Sequence, residues 1–275
     1  MANEGLQGHR ARKRFGQNFL HDRHWIERIA QAVNAVPGDD VVEIGPGQAA
    51  LTRELMAAAG KVRAVEIDRD LAAWLKQSFP ETLELIEADA LTLDWTTVAK
   101  NNDLRVVGNL PYNISSPLLF KLLEAADLVR DQHFMLQKEV VDRMVAPHGS
   151  KTYGRLSVML QWRYRMTKLF DVPPGAFNPP PKVMSSVVRM VPKAKSEVPE
   201  VDLALFSSVV ANAFSQRRKT IRNALSAILK EDEIVSCGVD AGARAEALPL
   251  QAFVALTQKA AALGRRPVTP GTAAD

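Results

Sequence analysis

Cysteine is all but missing: Cys237 is the only one in 275 residues. A lone thiol excludes an intrachain disulfide and fits a reducing cytoplasm, the expected compartment. Its place in a late helical region suits a half-buried structural thiol. No run of 18 apolar residues occurs, so no membrane-spanning helix is expected. The N-terminal stretch has no apolar signal region either. The five histidines, His9, His21, His24, His133 and His148, show no metal-ligand spacing. Charge of one sign is not in large excess: 35 basic against 31 acidic side chains leave a net +4 and a pI near 9.2. Such a balance is too mild to establish nucleic-acid binding by itself. There is no internal repeat and no low-complexity tract.

What is present is a chain of 47% hydrophobic residues, enough for a full core. The length accommodates one α/β domain and a smaller second one. Trp25 to Val36 has helical periodicity, stopped by Pro37-Gly38. Apolar runs near 41–44, 62–66, 83–87, 104–108 and 131–136 then alternate with helical stretches. Strand–helix alternation of this kind predicts a parallel sheet with crossover helices. Arg155 to Gln161 reads as a helix. Arg163 to Phe170 and Ser185 to Val191 read as two closing strands, joined by a stiff Pro-rich loop. After a charged linker near 192–201, residues 203–263 read as short amphipathic helices. The expected division is a basic arm over 1–13, an α/β domain over 14–192 and a small all-helical domain over 202–275.

Two segments carry chemistry. The first is Val41-Val42-Glu43-Ile44-Gly45-Pro46-Gly47, a strand entering a glycine-rich turn. The spacing Gly45-x-Gly47-x-x-Ala50 with Glu66 about 20 residues on fits an adenosine-containing cofactor, the acid taking the ribose hydroxyls. Glu43 just before the turn suits the amino group and sulfonium of S-adenosylmethionine better than a pyrophosphate, which needs bare backbone donors. Asp89, after another apolar run, is placed to accept from the cofactor's adenine amine; it also suits an N-cap.

The second segment is Asn109-Leu110-Pro111-Tyr112, at the end of an apolar strand. The Asn109 amide oxygen and the Leu110 carbonyl, stiffened by Pro111, can each accept one hydrogen of a planar –NH2 group. Tyr112 can stack on the ring that bears it. Two acceptors favour the pyramidal amine, whose lone pair is then free to attack. A strand end with a Pro turn would look the same in isolation. A cytosine C5 methylation is disfavoured, since it needs a thiol beside the glycine-rich core.

These blocks, with Arg14-Phe15-Gly16-Gln17-Asn18-Phe19-Leu20, Phe134 to Val140 and Phe177-Asn178-Pro179-Pro180-Pro181-Lys182-Val183, resemble the ribosomal RNA adenine N6-dimethyltransferase family, most closely its bacterial small-subunit branch. The resemblance runs from about Arg12 to Leu250. It implies a Rossmann-like S-adenosylmethionine-dependent methyltransferase sheet, with a cofactor site of Gln17, Asn18, Leu20, Glu43, Gly45, Gly47, Glu66, Ile67, Asp89, Ala90 and Asn109. It further implies that Tyr112 and Phe177 hold the two faces of a flipped adenosine. The implied activity is N6,N6-dimethylation of two adjacent adenosines in the 3′-terminal hairpin of small-subunit rRNA, within a pre-ribosomal subunit, by a monomer that takes no DNA. From residues alone, a Phe after Pro-Pro-Gly is more often a core plug than a base clamp; it is the resemblance that implies the clamp.

Basic residues cluster twice. Arg10, Arg12, Lys13 and Arg14 form one group, and Arg217, Arg218, Lys219 and Arg222 the other. Both suit phosphate contacts, or a solvated face. In a helix over Ser215–Leu225, Arg218 and Arg222 would share one side, with Ile221 and Leu225 turned to the core. Two alternatives stand beside this reading: another N-methyltransferase, such as a large-subunit rRNA enzyme, and a non-catalytic RNA-binding assembly factor.

Overall fold

A computed structural model describes residues 17–100 and 102–270. These form two compact units: residues up to Val141 with Arg165–Pro192, and Asp142–Tyr164 with the chain from Lys193 onward. Arg10, Arg12, Lys13 and Arg14 lie outside the described residues.

In the first unit, β1 (Phe19–Leu20) is followed by α1 (Arg23–Val33). Asp22 caps that helix by accepting the N–H groups of His24 and Trp25. Asn34 in the left-handed region ends it, three residues before Pro37. Then come β2 (Val41–Ile44), α2 (Ala50–Ala59), β3 (Val62–Glu66), α3 (Arg69–Ser78), β4 (Leu83–Glu87), α4 (Trp95–Val98), β5 (Leu104–Asn109), α5 (Ser115–Leu122) and β6 (Val129–Gln137). The strand ranges match the expected runs closely. After α6 (Lys138–Met144) and α7 (Arg155–Arg163), the closing strands are β7 (Tyr164–Val172), β8 (Phe177–Asn178) and β9 (Ser185–Pro192).

Seven strands make the main sheet, in the order β4-β3-β2-β5-β6-β9-β7. β2, β3, β4, β5 and β6 pair in parallel, and β9 runs antiparallel to β6. Every residue of β2 and β3 is buried, the pattern of strands covered on both faces. The chain moves outward from β2 through β3 to β4, then returns to lay β5 against the free side of β2. That reversal is the switch point where open parallel sheets bind ligands.

The switch depends on one glycine. Gly108 pairs with Ile44. A Cβ on Gly108 would lie 2.8 Å from the Ile44 carbonyl oxygen and 3.0 Å from Leu110 Cδ2. No larger residue fits without parting the strands that meet at the switch. At the far end of β5, the buried Arg105 guanidinium pairs with Asp39 at 2.8 Å and Asp131 at 2.9 Å, and donates to the carbonyls of Val33 and Asn34. One side chain thus ties β5 to β6 and to the end of α1.

The second unit is helical where the first is mixed. α8 (Leu203–Ala213), α9 (Ile221–Ala224), α10 (Glu231–Val235) and α11 (Leu250–Ala262) complete it. α7 packs against α8 and α11, with Trp162 and Phe206 rings 5.6 Å apart and Phe214 stacked on Phe253 at 5.5 Å. The sequence division assigns residues 142–164 to the α/β domain. The structure groups them with the C-terminal helices, because the buried side chains of α7 face α8 and α11. Cys237 is half-buried, its thiol donating to the Glu233 carbonyl at 3.3 Å.

Two expectations fail locally. The Pro-rich loop contains β8, which pairs antiparallel with β1; both strands are too short to carry a period. The helix over Ser215–Leu225 is absent. Residues 215–219 are an exposed turn, and only α9 is helical. The N–H groups of Ile221 and Arg222 donate to the carbonyls of Ala243 and Ala241, rather than to those four residues back. Thr220 also bridges to Arg244. Ile221 and Leu225 are buried, as their apolarity predicts.

Gly108→Ala is expected to lower stability by about 1–3 kcal/mol through overpacking at the strand switch. Urea titration would show this as a lower midpoint at unchanged slope. An unshifted midpoint would remove the steric constraint placed on Gly108.

Candidate active site

The carboxyl ends of β2, β3 and β5 open onto a cavity of about 300 Å³. Its floor is the turn after β2. Gly45 and Gly47 both have positive φ, 69° and 55°, and Gly45 N–H donates to the Val65 carbonyl at 2.9 Å. A side chain at either position would be strained, and the bare backbone leaves the cavity open. A Cβ at Gly47 would also meet the Phe19 ring at 3.0 Å, so the N-terminal segment lies directly on this turn.

Glu66, at the end of β3, is buried and held by backbone donors. Its Oε2 accepts from Gly47 N–H at 3.3 Å and its Oε1 from Asp68 N–H at 2.9 Å. Burial raises its pKa, against the lowering effect of those two donors. Asp68 has no exposed surface; it caps α3 and accepts from Gln17 Nε2 at 3.2 Å. Asp68 is absent from the sequence-derived site. Its Asp-x-Asp cap pattern is the only signal of it in the chain.

Glu43 is 2% exposed, lines the cavity, and its Oε2 has no hydrogen-bond partner. Burial pushes its carboxyl up to about 7, opposed by the Thr52 hydroxyl and aided by the nearby Glu66 charge. A buried carboxylate oxygen without a partner is costly unless a cation or donor arrives to meet it.

On the neighbouring wall, Asp89 Oδ1 accepts from Leu91 N–H at 2.9 Å, which leaves its second oxygen for a ligand. The Ala90 carbonyl accepts from the Trp95 indole at 3.0 Å, and this fixes the loop after β4. Ile67 stands at the rim, 45% exposed.

Asn109, Leu110, Pro111 and Tyr112 form the other side. The parallel pairing of β5 with β6 continues past the strand end, where Leu110 N–H donates to the Met135 carbonyl at 3.1 Å. The Asn109 amide nitrogen donates to the Asn18 carbonyl at 2.9 Å. That bond occupies the donor end of the amide and leaves Oδ1 as its acceptor, on a residue that lines the cavity. Tyr112 Oη lies 2.8 Å from Ser185 Oγ, and Ser115 Oγ donates to the Pro111 and Tyr112 carbonyls. Half-buried Tyr112 therefore presents a ring held at both its hydroxyl and its backbone. Burial raises its pKa, so it stays neutral.

Phe177 departs from the expected clamp. It is 2% exposed, pairs through β8 with Leu20, and belongs to the apolar core between α1 and the sheet. It is not among the cavity's lining residues. The core-plug reading of this phenylalanine describes what the structure shows: β8 pairs it with Leu20, and both residues belong to the same buried cluster. His133 is a lining residue that the spacing argument passes over. It is 2% exposed, its Nδ1 lies 3.7 Å from Asp131 Oδ1, and burial lowers its pKa to about 4, so the ring is neutral. A histidine inside an apolar strand reads as core, and on β6 it is both.

Arg217, Arg218, Lys219 and Arg222 are exposed on the second unit. Arg217 donates to the Lys151 carbonyl at 3.1 Å, and Arg222 pairs with Glu231 at 3.0 Å. No group of metal-ligating side chains occurs among the described residues. No helix among them is long and apolar enough to cross a membrane.

The family model described as "Ribosomal RNA adenine dimethylase" matches residues 8–261. Curated relatives named "Ribosomal RNA small subunit methyltransferase A" include that of Thiobacillus denitrificans, 56% identical over 250 residues, spanning 90% of this chain and 97% of its own. That of Acinetobacter baylyi is 54% identical over 256 residues, spanning 92% and 93%. A solved dimethyladenosine transferase from Plasmodium falciparum superposes with a TM-score of 0.76 at 26% identity, covering 91% of this chain and 100% of its own. The 23S rRNA methyltransferase ErmE superposes with a TM-score of 0.68 at 27% identity, covering 89% and 100%. The match takes in both compact units as well as the cavity, so the chain as a whole, and not its nucleotide-binding sheet alone, belongs to the ribosomal RNA adenine dimethylase family.

Proposed function

We propose that this protein transfers methyl groups from S-adenosylmethionine to N6 of two adjacent adenosines in the 3′-terminal hairpin of small-subunit rRNA. The observation that carries the reading is that Asn109, its amide nitrogen held by the Asn18 carbonyl, lines the cavity at the sheet's switch point together with Leu110 and Tyr112. Identity of 54–56% to the small-subunit enzymes, against 27% to the large-subunit one, favours the small-subunit substrate. The RNA is met in a pre-ribosomal particle in the cytoplasm, by a monomer.

The cavity fits the cofactor. The unpartnered Glu43 oxygen would meet the ligand's cationic end, and Glu66 the ribose hydroxyls. The free Asp89 oxygen would accept from the adenine amine, with Ile67 and Ala90 beside its ring. Gln17, Asn18 and Leu20 would close over it, with Gly45 and Gly47 beneath. The cofactor supplies a methyl group activated on a sulfonium. The target adenosine must leave its stack to reach it. Tyr112 stacks on the flipped base, while Asn109 Oδ1 and the Leu110 carbonyl accept the two N6 hydrogens. Alignment and exclusion of water supply most of the rate. No base is needed before attack, since the alkylated N6 is acidic and releases its proton afterwards.

Asn109→Ala is expected to lower turnover by on the order of 10²-fold, with RNA affinity nearly unchanged, because the bond acts on the reacting amine. Single-turnover methylation of unmodified small subunits reads this, and mass spectrometry of the rRNA 3′ region identifies the product. Wild-type turnover in the variant would remove Asn109 from the reaction.

Burial pushes the Glu43 carboxyl up to about 7, and only its ionised form neutralises a cation. Cofactor affinity should therefore rise as pH climbs through 7 and fall below it, and binding near pH 7 should expel a proton. Calorimetry in buffers of different ionisation enthalpy measures the proton count. Glu43→Gln should abolish the pH dependence; a dependence that persists assigns it to another group.

The exposed turn carrying Arg217, Arg218 and Lys219 is proposed to contact phosphates, with Arg222 beside it and Arg12, Lys13 and Arg14 of the N-terminal arm acting likewise. Neutralising the three turn residues together should flatten the salt dependence of RNA binding by about 0.7–0.9 log units per lost contact. Cofactor affinity should not move. Equal slopes in variant and wild type would show a merely solvated turn.

A further inference from the structure

Residues 178–185 join the two sides of the cavity rim. At one end Asn178 pairs with Phe19, which lines the cavity on the Gly47 side. At the other, Ser185 hydrogen-bonds Tyr112 across 2.8 Å and pairs with Gln137 of β6, and the Met184 carbonyl accepts from Lys138 N–H at 2.9 Å. Both ends are thus anchored to the reacting site.

Between its anchors the segment is apolar and exposed. Pro179 and Pro180 face solvent, Val183 is 45% and Met184 37% exposed, and Pro181 alone is buried. Six large apolar side chains are exposed among the described residues. Two of them, Val183 and Met184, are adjacent in this segment, next to the Ser185 that bonds Tyr112. Scattered apolar side chains are ordinary, whereas a cluster bordering a site marks a contact surface. Exposed Lys182 adds one cation within the same segment. Apolar surface with a cation beside it matches a nucleotide, whose base faces are apolar and whose phosphate is anionic.

We infer that Val183 and Met184 form a shelf for the base of the nucleotide adjoining the target adenosine, with Lys182 on its phosphate. The inference rests on the proposed methylation and specifies how that site holds its RNA. Flipping an adenosine out of its stack strips its neighbour of one stacking face. A shelf beside Tyr112 replaces the lost face. With two adjacent adenosines to modify, it also holds one base while the other occupies the cavity. Methionine suits this task, because its thioether contacts aromatic rings favourably and adapts to their position.

The test compares wild type with Val183→Ser/Met184→Ser on reconstituted, unmethylated small subunits. One set carries the native adenosine pair; in the other the target's neighbour is uridine, which stacks weakly. The expected result is an approximately tenfold lower kcat/KM for the variant on the native pair, with unchanged cofactor affinity by calorimetry. On the uridine RNA, variant and wild type should agree within about twofold. Met184→Leu should retain near wild-type rates. Equal rates on the native pair overturn the shelf. An equal loss on both RNAs also overturns it, placing the contact away from the neighbouring base. A wild type that methylates neither RNA overturns the proposed methylation itself, and the shelf with it.

Discussion

The close approach of β5 to β2 at Gly108 is the constraint on which the rest of the site depends. Ile44 and Gly108 sit side by side with no room for a Cβ. Each strand then ends one residue later in a different chemical device, Gly45 in one and Asn109 in the other. Parting the strands would separate the glycine turn from the amide acceptor. Because both devices hang from paired backbone, their spacing is set by the sheet and not by flexible side chains. This is the rigidity that alignment-based catalysis requires.

The segment Gln17–Leu20 acts on both devices at once. Gln17 bonds Asp68, Phe19 covers Gly47, and the Asn18 carbonyl sets the Asn109 amide. Leu20 pairs with Phe177 and binds the segment to the core. One short stretch therefore joins the glycine turn to the Asn109 amide on the two sides of the cavity. That link also gives Phe177 a reason to be buried: its strand holds the segment in place.

Charge divides along β5. At its start, Arg105 offsets Asp39 and Asp131 in a buried, fully paired cluster. Next to its end, Glu43 has a buried oxygen without a partner. A folded chain bears such a desolvation cost where a ligand removes it. The Asp39 and Asp131 carboxylates meet a guanidinium and the Glu43 oxygen does not, although all three look alike in the sequence.

The sequence alone determined much. Its apolar runs placed β2 to β6, because strands buried on both faces read as continuous hydrophobic stretches. The Gly45-x-Gly47 turn, Glu66 and the Asn109–Tyr112 tetrapeptide located the cavity, because their roles need specific backbone freedom and specific donors and acceptors. Tertiary structure decided the rest. Two-residue strands such as β1 and β8 have no period to detect, so their pairing came only from the fold, whereas the burial of Phe177 was one of the readings its Pro-rich context offered. The helix expected over Ser215–Leu225 gave way to a turn because the loop at 241–243 offered its carbonyls to Ile221 and Arg222. Residues 142–164 joined the helical unit because the partners of α7 lie about 40 or more residues further along the chain, beyond the reach of local pattern. Local chemistry is written in adjacent residues; partners distant in sequence are chosen by packing.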